Sequence, residues 1–358
     1  MTGAADAASD QKQERLMPEH RRAHRRSCFL AALVAVAAVA GGGCPPGPGG
    51  GAAPDAVAEI GDGRPSSLDD LWYSAERDEL LVGVGNRGWV SVVTRVDAQS
   101  RSFPGLFEPL SVVDGNGHLY VIERSTSTLA VLDGVTGEIV GRTVLSGSPD
   151  YVRYAAGRSE IWVSEPGANR IEILQEPSSA PFNPQHVAFA DTGGGAEGIA
   201  LNEARDQAYT HLSGGKLGVI SISTRAVLDR WSTGCFGLHG IPRFDEARGL
   251  VFAGCSGSAE VVALRLADGS EAGRHKGVGG TTILAYAPAL GHFYLRGDPG
   301  VPVQALGVSA AGTFTVLGTF DAATNGHCAA ADDQGALWVC DADSGRLLRF
   351  TDPFAPTP

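Results

Sequence analysis

The tetrapeptide Leu119-Tyr120-Val121-Ile122 recurs in varied form along most of the chain. Every copy is a short apolar run, and six of the seven copies have an aromatic residue at the second position. The other copies are Leu80-Leu81-Val82-Gly83, Ile161-Trp162-Val163-Ser164, Ala208-Tyr209-Thr210-His211, Val251-Phe252-Ala253-Gly254, Phe293-Tyr294-Leu295-Arg296 and Leu337-Trp338-Val339-Cys340. A unit that returns about every 40–47 residues indicates a repeat architecture.

Each tetrapeptide lies in a unit of four predicted strands. Residues 129–133, 171–174 and 218–222 alternate with a period of two, as half-buried strands do. No long segment of these units has convincing helical periodicity. Four short strands repeated seven times predict an all-β fold, a seven-bladed β-propeller of four-stranded blades. We expect the repeated aromatic rings to pack between neighbouring sheets.

The last unit contains only three predicted strands, at residues 327–332, 336–340 and 346–350. One additional strand, at residues 56–60, precedes the first unit. We expect this N-terminal strand to complete the last blade, because that pairing leaves no sheet edge open. Residues 56–358 are therefore predicted to form one propeller domain.

In these repeats the chain resembles the YVTN-type and NHL-type β-propellers. The resemblance rests on the YVTN-like runs at residues 119–122 and 161–164, on strand-turn units such as residues 132–138, and on the strand start at residues 239–241. It covers nearly the whole chain after residue 56 through short, degenerate motifs. It implies a fold more than an activity.

The N-terminal region has the features of a targeting segment. A basic patch at residues 21–26 precedes an apolar run at residues 28–40, which is too short to cross a bilayer as a helix. This pattern predicts a signal peptide over residues 1–43, with Met17 as an alternative start. Two processing routes stay open. One is cleavage after Ala38-Val39-Ala40, and the other is lipid attachment to Cys44, because Gly41-Gly42-Gly43-Cys44 resembles a bacterial lipobox with Gly41 where that pattern prefers Leu.

Residues 44–55 are predicted to be a linker, because the Pro/Gly-rich stretch at residues 45–51 cannot form a core. Such a tether suits a domain held by a lipid anchor. We therefore expect a lipoprotein of the bacterial cell envelope, with a secreted or periplasmic protein as the alternative.

The chain is acidic, with 28 Lys and Arg residues against 40 Asp and Glu residues and a net charge of −12. A negatively charged body is repelled by phosphate backbones and by anionic lipid surfaces. We therefore expect no nucleic-acid partner, and membrane contact only through the N-terminal anchor.

Four cysteines lie in the predicted propeller, and an exported protein meets oxidising conditions. Cys328 and Cys340 fall side by side on neighbouring antiparallel strands, and Cys235 and Cys255 occupy similar positions in an earlier blade. We predict the disulfides Cys235–Cys255 and Cys328–Cys340. Zinc binding is the alternative, although no C-x-x-C motif occurs and the two pairs belong to non-adjacent blades.

A set of polar residues lies about twelve positions before each tetrapeptide, where the innermost strand of each blade should start. In a propeller these starts surround the central channel at one face, so we expect the side chains to converge there. Carboxylates would suit Ca²⁺ or Mg²⁺, and the two histidines would suit Zn²⁺. Solvated polar groups without a ligand are the alternative. The residues are Asp69, Glu108, Asp150, Glu197, His239, Thr282 and His327.

The sequence leaves several function classes open. The first is a non-catalytic, monomeric binding or scaffold protein that presents a rim or channel mouth to a protein, peptide or glycan. The second is a divalent-metal-dependent hydrolase or lyase at the channel mouth, with His239 or His327 as ligand or base. The resemblance to propellers implies this option, because gluconolactonase-like enzymes and the NHL-type amidating lyase hold channel metals, although neither full ligand set is matched here. A quinone-associated propeller is the third, since residues 133–137 loosely resemble quinoprotein repeats. No G-x-S-x-G motif occurs, and we assign no catalytic residue.

Overall fold

The computed structural model describes residues 51–277, 279–280, 283–322 and 324–356. These residues form 28 strands, which assemble into seven four-stranded antiparallel sheets. The first strand is β1, Ala56–Glu59. The predicted seven-bladed β-propeller with four-stranded blades is thereby confirmed. The predicted signal peptide, residues 1–43, and Cys44 lie outside the described residues.

The first four blades are consecutive in the chain, and each runs from the innermost to the outermost strand. They are β2 Leu71–Ser74, β3 Glu79–Val84, β4 Trp89–Thr94 and β5 Ser100–Pro104; β6 Pro109–Gly115, β7 His118–Glu123, β8 Thr128–Asp133 and β9 Ile139–Val144; β10 Val152–Ala155, β11 Glu160–Glu165, β12 Arg170–Gln175 and β13 Gln185–Asp191; β14 Ile199–Asn202, β15 Gln207–Leu212, β16 Lys216–Ser221 and β17 Val227–Ser232.

The fifth and sixth blades follow the same order, and the seventh combines strands from both ends of the described chain. They are β18 Arg243–Asp245, β19 Leu250–Cys255, β20 Glu260–Arg265 and β21 Glu271–Lys276; β22 Ile283–Ala287, β23 His292–Arg296, β24 Val303–Val308 and β25 Phe314–Phe320; β26 Ala329–Ala331, β27 Ala336–Asp341 and β28 Arg346–Thr351, with β1 outermost.

Strand β1 pairs antiparallel with β28, and Val57 lies opposite Leu348. The residues just before β1 also contact the body, since the Ala52 amide donates to the Thr319 carbonyl (3.0 Å). The inner strands β2 and β26 of the first and last blades contact each other, as do the inner strands of the other neighbouring blades. The blades therefore surround a central channel.

The core consists of seven apolar clusters among the described residues, one at each junction between neighbouring blades. The second residue of each repeated tetrapeptide belongs to a different cluster and is at most 1% exposed. These residues are Leu81, Tyr120, Trp162, Tyr209, Phe252, Tyr294 and Trp338. The prediction that the rings pack between sheets is confirmed. Each junction between two blades is filled by one bulky side chain at this position of the second strand.

Helical structure in the described part is limited to five single-turn 3-10 helices: Gly85–Arg87, Arg124–Thr126, Ala156–Arg158, Pro166–Ala168 and Glu203–Arg205. Each is followed by a residue in the left-handed conformation, such as Gly88 with φ 72°. Among the described residues there is no helix with the length and apolar character needed to cross a membrane.

Both predicted cysteine pairs are at disulfide distance. The Cα atoms are 5.9 Å apart in Cys235–Cys255 and 5.5 Å apart in Cys328–Cys340, within the usual range for a disulfide. In the second pair the Cys340 amide also donates to the Cys328 carbonyl (3.2 Å). The bridge thus fastens the inner two strands of the last blade at the end nearest the channel mouth.

Candidate functional site

The starts of the inner strands meet at one end of the channel, around a cavity of about 590 Å³. Five predicted site residues line it: Asp69, Asp150, Glu197, His239 and His327. They lie just before β2, β10, β14, β18 and β26, so five blades each supply one side chain. We call this cavity the acidic mouth. The structure brings the five side chains together, and their function stays a prediction.

Two other predicted residues differ. Glu108 is exposed, with its backbone in the left-handed conformation (φ 53°), and it does not line the acidic mouth. It immediately precedes Pro109, where the pairing of β6 with β7 shifts register, so this start differs from the others. Thr282 lies outside the described residues.

A cation that the sequence pattern missed also lines the acidic mouth. Arg124 follows β7 and donates from Nη2 to Oδ1 of Asp150 (2.6 Å). The same nitrogen lies 3.8 Å from Oδ2 of Asp69. Arg124 comes after the second strand of its blade, whereas the sequence pattern covers only positions before the first strand. Arg124 partly neutralises two of the three carboxylates.

The two histidines are in contact. Nδ1 of His327 lies 2.8 Å from Oδ1 of Asp69, and the His327 ring meets the His239 ring edge-on with centroids 4.9 Å apart. Burial and the neighbouring His327 lower the pKa of His239. His239 Nδ1 is buried and has no hydrogen-bond partner among the described residues. His239 is therefore a neutral imidazole at pH 7.

Behind His239 lies His211, a buried residue of β15 that sequence reasoning also missed. Its Nδ1 is 3.0 Å from the Gly240 carbonyl, and burial lowers its pKa to about 4. It supports the loop that carries His239 and remains uncharged at neutral pH. A histidine inside an apolar strand gives no sequence signal that separates this structural position from a binding position.

The carboxylates of the acidic mouth are crowded. Burial and the negative charge of Asp150 raise the pKa of Glu197 to about 7. Burial and the charge of Asp69 likewise raise the pKa of Asp150. Like charges in a partly desolvated space favour the protonated form, so Glu197 holds a proton through much of the neutral range. The site thus contains a dissociable proton that a bound cation could replace.

Metal binding by these residues stays a prediction. In the part of the chain that the structure describes, no group of three or more His, Cys, Asp or Glu side chains is placed to hold a metal ion. Asp69 and Asp150 are instead engaged with His327 and Arg124. The acidic mouth as it stands can receive a cationic group through hydrogen bonds and charge.

Below the acidic mouth a buried polar layer crosses the channel. Arg153 of β10 donates from Nη1 to Oδ2 of Asp70 (2.9 Å) and from Nη2 to Oδ1 of Asp70 (3.3 Å). The Ser111 hydroxyl also donates to Asp70 Oδ2 (2.5 Å). The two charged residues are 2–3% exposed. This layer joins three blades and separates the two ends of the channel.

Comparison with known proteins identifies the class but no closer relationship. No family model and no curated protein sequence matches this chain. A chain of the crystal structure of the Mitotic Checkpoint Complex superposes with a TM-score of 0.70 at 12% identity, covering 90% of this chain and 98% of that one. The β-propeller domain of Cps50 (Swd1) from Myceliophteria thermophila gives 0.66 at 11% identity, covering 80% and 97%. BamB from Moraxella catarrhalis gives 0.56 at 13% identity, covering 81% and 85%. The protein is a seven-bladed β-propeller, and these similarities show the fold alone.

Proposed function

We propose that this chain is an exported, non-catalytic binding protein of the YVTN/NHL type, anchored in the bacterial envelope through Cys44. Its acidic mouth receives a cationic group, such as a lysine side chain, of a protein or peptide partner. Two of the similar structures support a scaffold role in general terms: one propeller is part of a checkpoint complex, and another is BamB. A net charge of −12 favours encounters with basic partners.

One observation carries this proposal. Asp69, Asp150 and Glu197 converge in one cavity that contains a single arginine, and the excess negative charge keeps Glu197 protonated up to about pH 7. An ammonium group entering the cavity would interact with the same oxygens and displace that proton. Charge-assisted hydrogen bonds of this kind are about twice as strong as neutral ones.

Binding can be tested with fluorescently labelled pentalysine and its side-chain-acetylated form as probes. We expect wild-type protein to bind pentalysine, and the triple variant Asp69→Asn, Asp150→Asn, Glu197→Gln to bind it at least tenfold more weakly. The control variant Glu59→Gln, Glu76→Gln, Glu138→Gln removes three exposed carboxylates elsewhere and changes the net charge equally. Equal loss of pentalysine binding in both triple variants would show that net charge alone, and not the acidic mouth, causes the binding. Equal binding of the acetylated and unacetylated probes would overturn the proposal.

Proton release gives a second readout of the same event. At pH 7 the cation should lower the pKa of Glu197 and release protons. Calorimetric titration in two buffers of different ionisation enthalpy measures that release. The single variant Glu197→Gln should still bind but release fewer protons than wild type. Identical proton release in both proteins would remove Glu197 from the site.

Export requires a separate experiment on the full chain in a bacterial host. Growth with radioactive palmitate should label wild type and the Cys28→Ser variant in the membrane fraction, and Cys44→Ser should abolish the label. Mass spectrometry of the mature N-terminus distinguishes lipidation at Cys44 from cleavage before Gly41. Unlabelled, uncleaved protein in the cytosol would contradict the localisation without affecting the binding proposal.

A further inference from the structure

A second cavity, of about 420 Å³, lies at the opposite end of the channel, where the inner strands end rather than start. Residues of β2, β10, β14, β18 and β22 line it. Aromatic side chains form much of its wall: Trp72, Tyr154, Phe244 and Tyr286. We call this cavity the aromatic mouth. Its volume is in the range of small-molecule sites, which are mostly apolar with a few placed polar groups.

Hydrogen bonds to carboxylates hold three of these rings in place. Trp72 Nε1 donates to Asp114 Oδ1 (2.7 Å), and the Tyr154 hydroxyl donates to Glu176 Oε2 (2.7 Å). The Tyr286 hydroxyl donates to Asp245. Since the polar atoms of these rings are already bonded within the protein, the rings offer their apolar surfaces to the cavity. A wall fixed in this way needs little reordering on binding.

The aromatic mouth contains two arginines, and only one of them forms an ion pair with a described carboxylate. Arg153 is paired with Asp70 and lies over the Trp72 ring, 5.0 Å from its centroid. Arg243 donates from Nε to the Leu284 carbonyl (2.7 Å), and no described carboxylate lies within 4.0 Å of its guanidinium. Neither Nη atom of Arg243 has a hydrogen-bond partner among the described residues, and neither is fully buried.

The lack of an ion pair costs free energy at Arg243 because of the surroundings of its guanidinium. Burial and the neighbouring Arg153 cation lower the pKa of Arg243 to about 10, and the negative charge of Asp70 offsets this lowering only in part. A partly desolvated charge costs free energy unless it is paired. The other acid at this mouth is Glu203, and its two oxygens accept the backbone amides of Ala156 (2.9 Å) and Gly157 (2.7 Å). Glu203 is therefore held at the rim by those amides.

We propose that the aromatic mouth binds a small organic carboxylate, with its carboxylate on the Nη atoms of Arg243 and its planar apolar body between the aromatic walls. The Arg243 guanidinium has no ion pair within 4.0 Å among the described residues, and the planar fork of arginine matches a carboxylate. This site is independent of the acidic mouth, because it lies beyond the Asp70–Arg153 layer and takes a ligand of opposite charge.

The test uses 2-naphthoate, its neutral analogue 2-naphthamide and the dianion 2-naphthyl phosphate as probes. We expect 2-naphthoate to bind wild-type protein at millimolar concentration or below, to quench Trp72 fluorescence and to raise the unfolding temperature. The amide should bind at least tenfold more weakly. No binding of 2-naphthoate, or equal binding of the amide, would overturn the proposal, and tighter binding of the phosphate would overturn the assignment to a carboxylate.

Two variants assign the effect to one guanidinium. Arg243→Gln should weaken 2-naphthoate binding at least tenfold. Arg265→Gln is the control, because Arg265 is an exposed residue of the same blade with no ion pair among the described residues. The unfolding temperature without ligand should be unchanged or higher in Arg243→Gln, since an unpaired charge is removed, so weaker binding would not reflect misfolding. Equal binding of 2-naphthoate by both variants would refute the role of Arg243. Both variants should still bind pentalysine at the acidic mouth.

Discussion

Replacing Glu197 by Gln should change the stability of the propeller in a pH-dependent way. In the folded protein, burial and Asp150 raise the pKa of this carboxyl from an ordinary value of 4.5 to about 7. The folded state therefore binds the proton more tightly than the unfolded state. The resulting stabilisation is complete below about pH 4.5 and is lost as the pH rises through about 7.

The magnitude follows from the size of the shift. A pKa difference of this size corresponds to a change of at most about 3 kcal/mol in the free energy of unfolding. The acidic mouth is open to solvent, which screens part of the repulsion, so we expect about 1–2 kcal/mol. Glu197→Gln should match wild type near pH 4.5 and exceed its free energy of unfolding by that amount near pH 8, because the amide is never charged.

Urea unfolding followed by tryptophan fluorescence at several pH values between 4.5 and 8.5 measures this difference. Glu108→Gln is the matched control, because Glu108 also precedes an inner strand but is exposed and outside the cavity. Glu108→Gln should change the free energy of unfolding little, because the side chain is exposed. A Glu197→Gln variant that is less stable than wild type at pH 8 would show that the carboxylate has a stabilising partner, and the reasoning about crowded charges would fail.

Three further perturbations test the architecture. Asp70→Asn should cost about 3–5 kcal/mol in urea unfolding, because it leaves the Arg153 guanidinium buried without its counter-ion, whereas the neighbouring Asp69→Asn should cost less than about 1 kcal/mol. Removing the last blade's disulfide by Cys328→Ser with Cys340→Ser should lower the free energy of unfolding by about 2–3 kcal/mol. A reducing agent should cause the same loss in wild type by breaking this bond, whereas the variant no longer has this bond to break. Deleting residues 51–60 removes β1 and exposes the edge of β28, so we expect a lower unfolding temperature and self-association by size-exclusion chromatography; an unchanged monomer of equal stability would show that β1 does not fasten the ring.

The repeat could be found from sequence because one bulky side chain is needed at every junction between blades. Tyr120 and Trp162 are buried for the same physical reason, so the same position carries a bulky apolar residue in all seven copies and an aromatic one in six. The cysteine pairs could be predicted because antiparallel neighbours bring Cys328 beside Cys340. Both arguments depend only on local strand geometry, which alternation in the sequence reveals.

The candidate sites could be predicted only in part, since they depend on how single side chains point. Glu108 occupies the expected position in sequence, but its left-handed backbone and the following Pro109 direct it to solvent. Trp72 and Arg243 look like ordinary strand residues, and nothing in the sequence shows that one arginine has a counter-ion while the other has none. Pairing between residues from distant blades is set by the closure of the ring, which no local pattern encodes.

The two mouths of the channel are lined by different side chains. A space of about 10 Å³ lies beside Asp70 and Arg243, and another of about 110 Å³ lies beside Arg243 and Trp72. The smaller space holds at most about one water molecule. The Asp70–Arg153 pair lies below the acidic mouth, where three carboxylates face one arginine, whereas the aromatic mouth contains Arg243 and Glu203 in addition to Arg153. A ligand at one mouth therefore meets different side chains from those at the other mouth, and mutations at the two ends should affect binding independently, as additivity predicts for sites without shared partners.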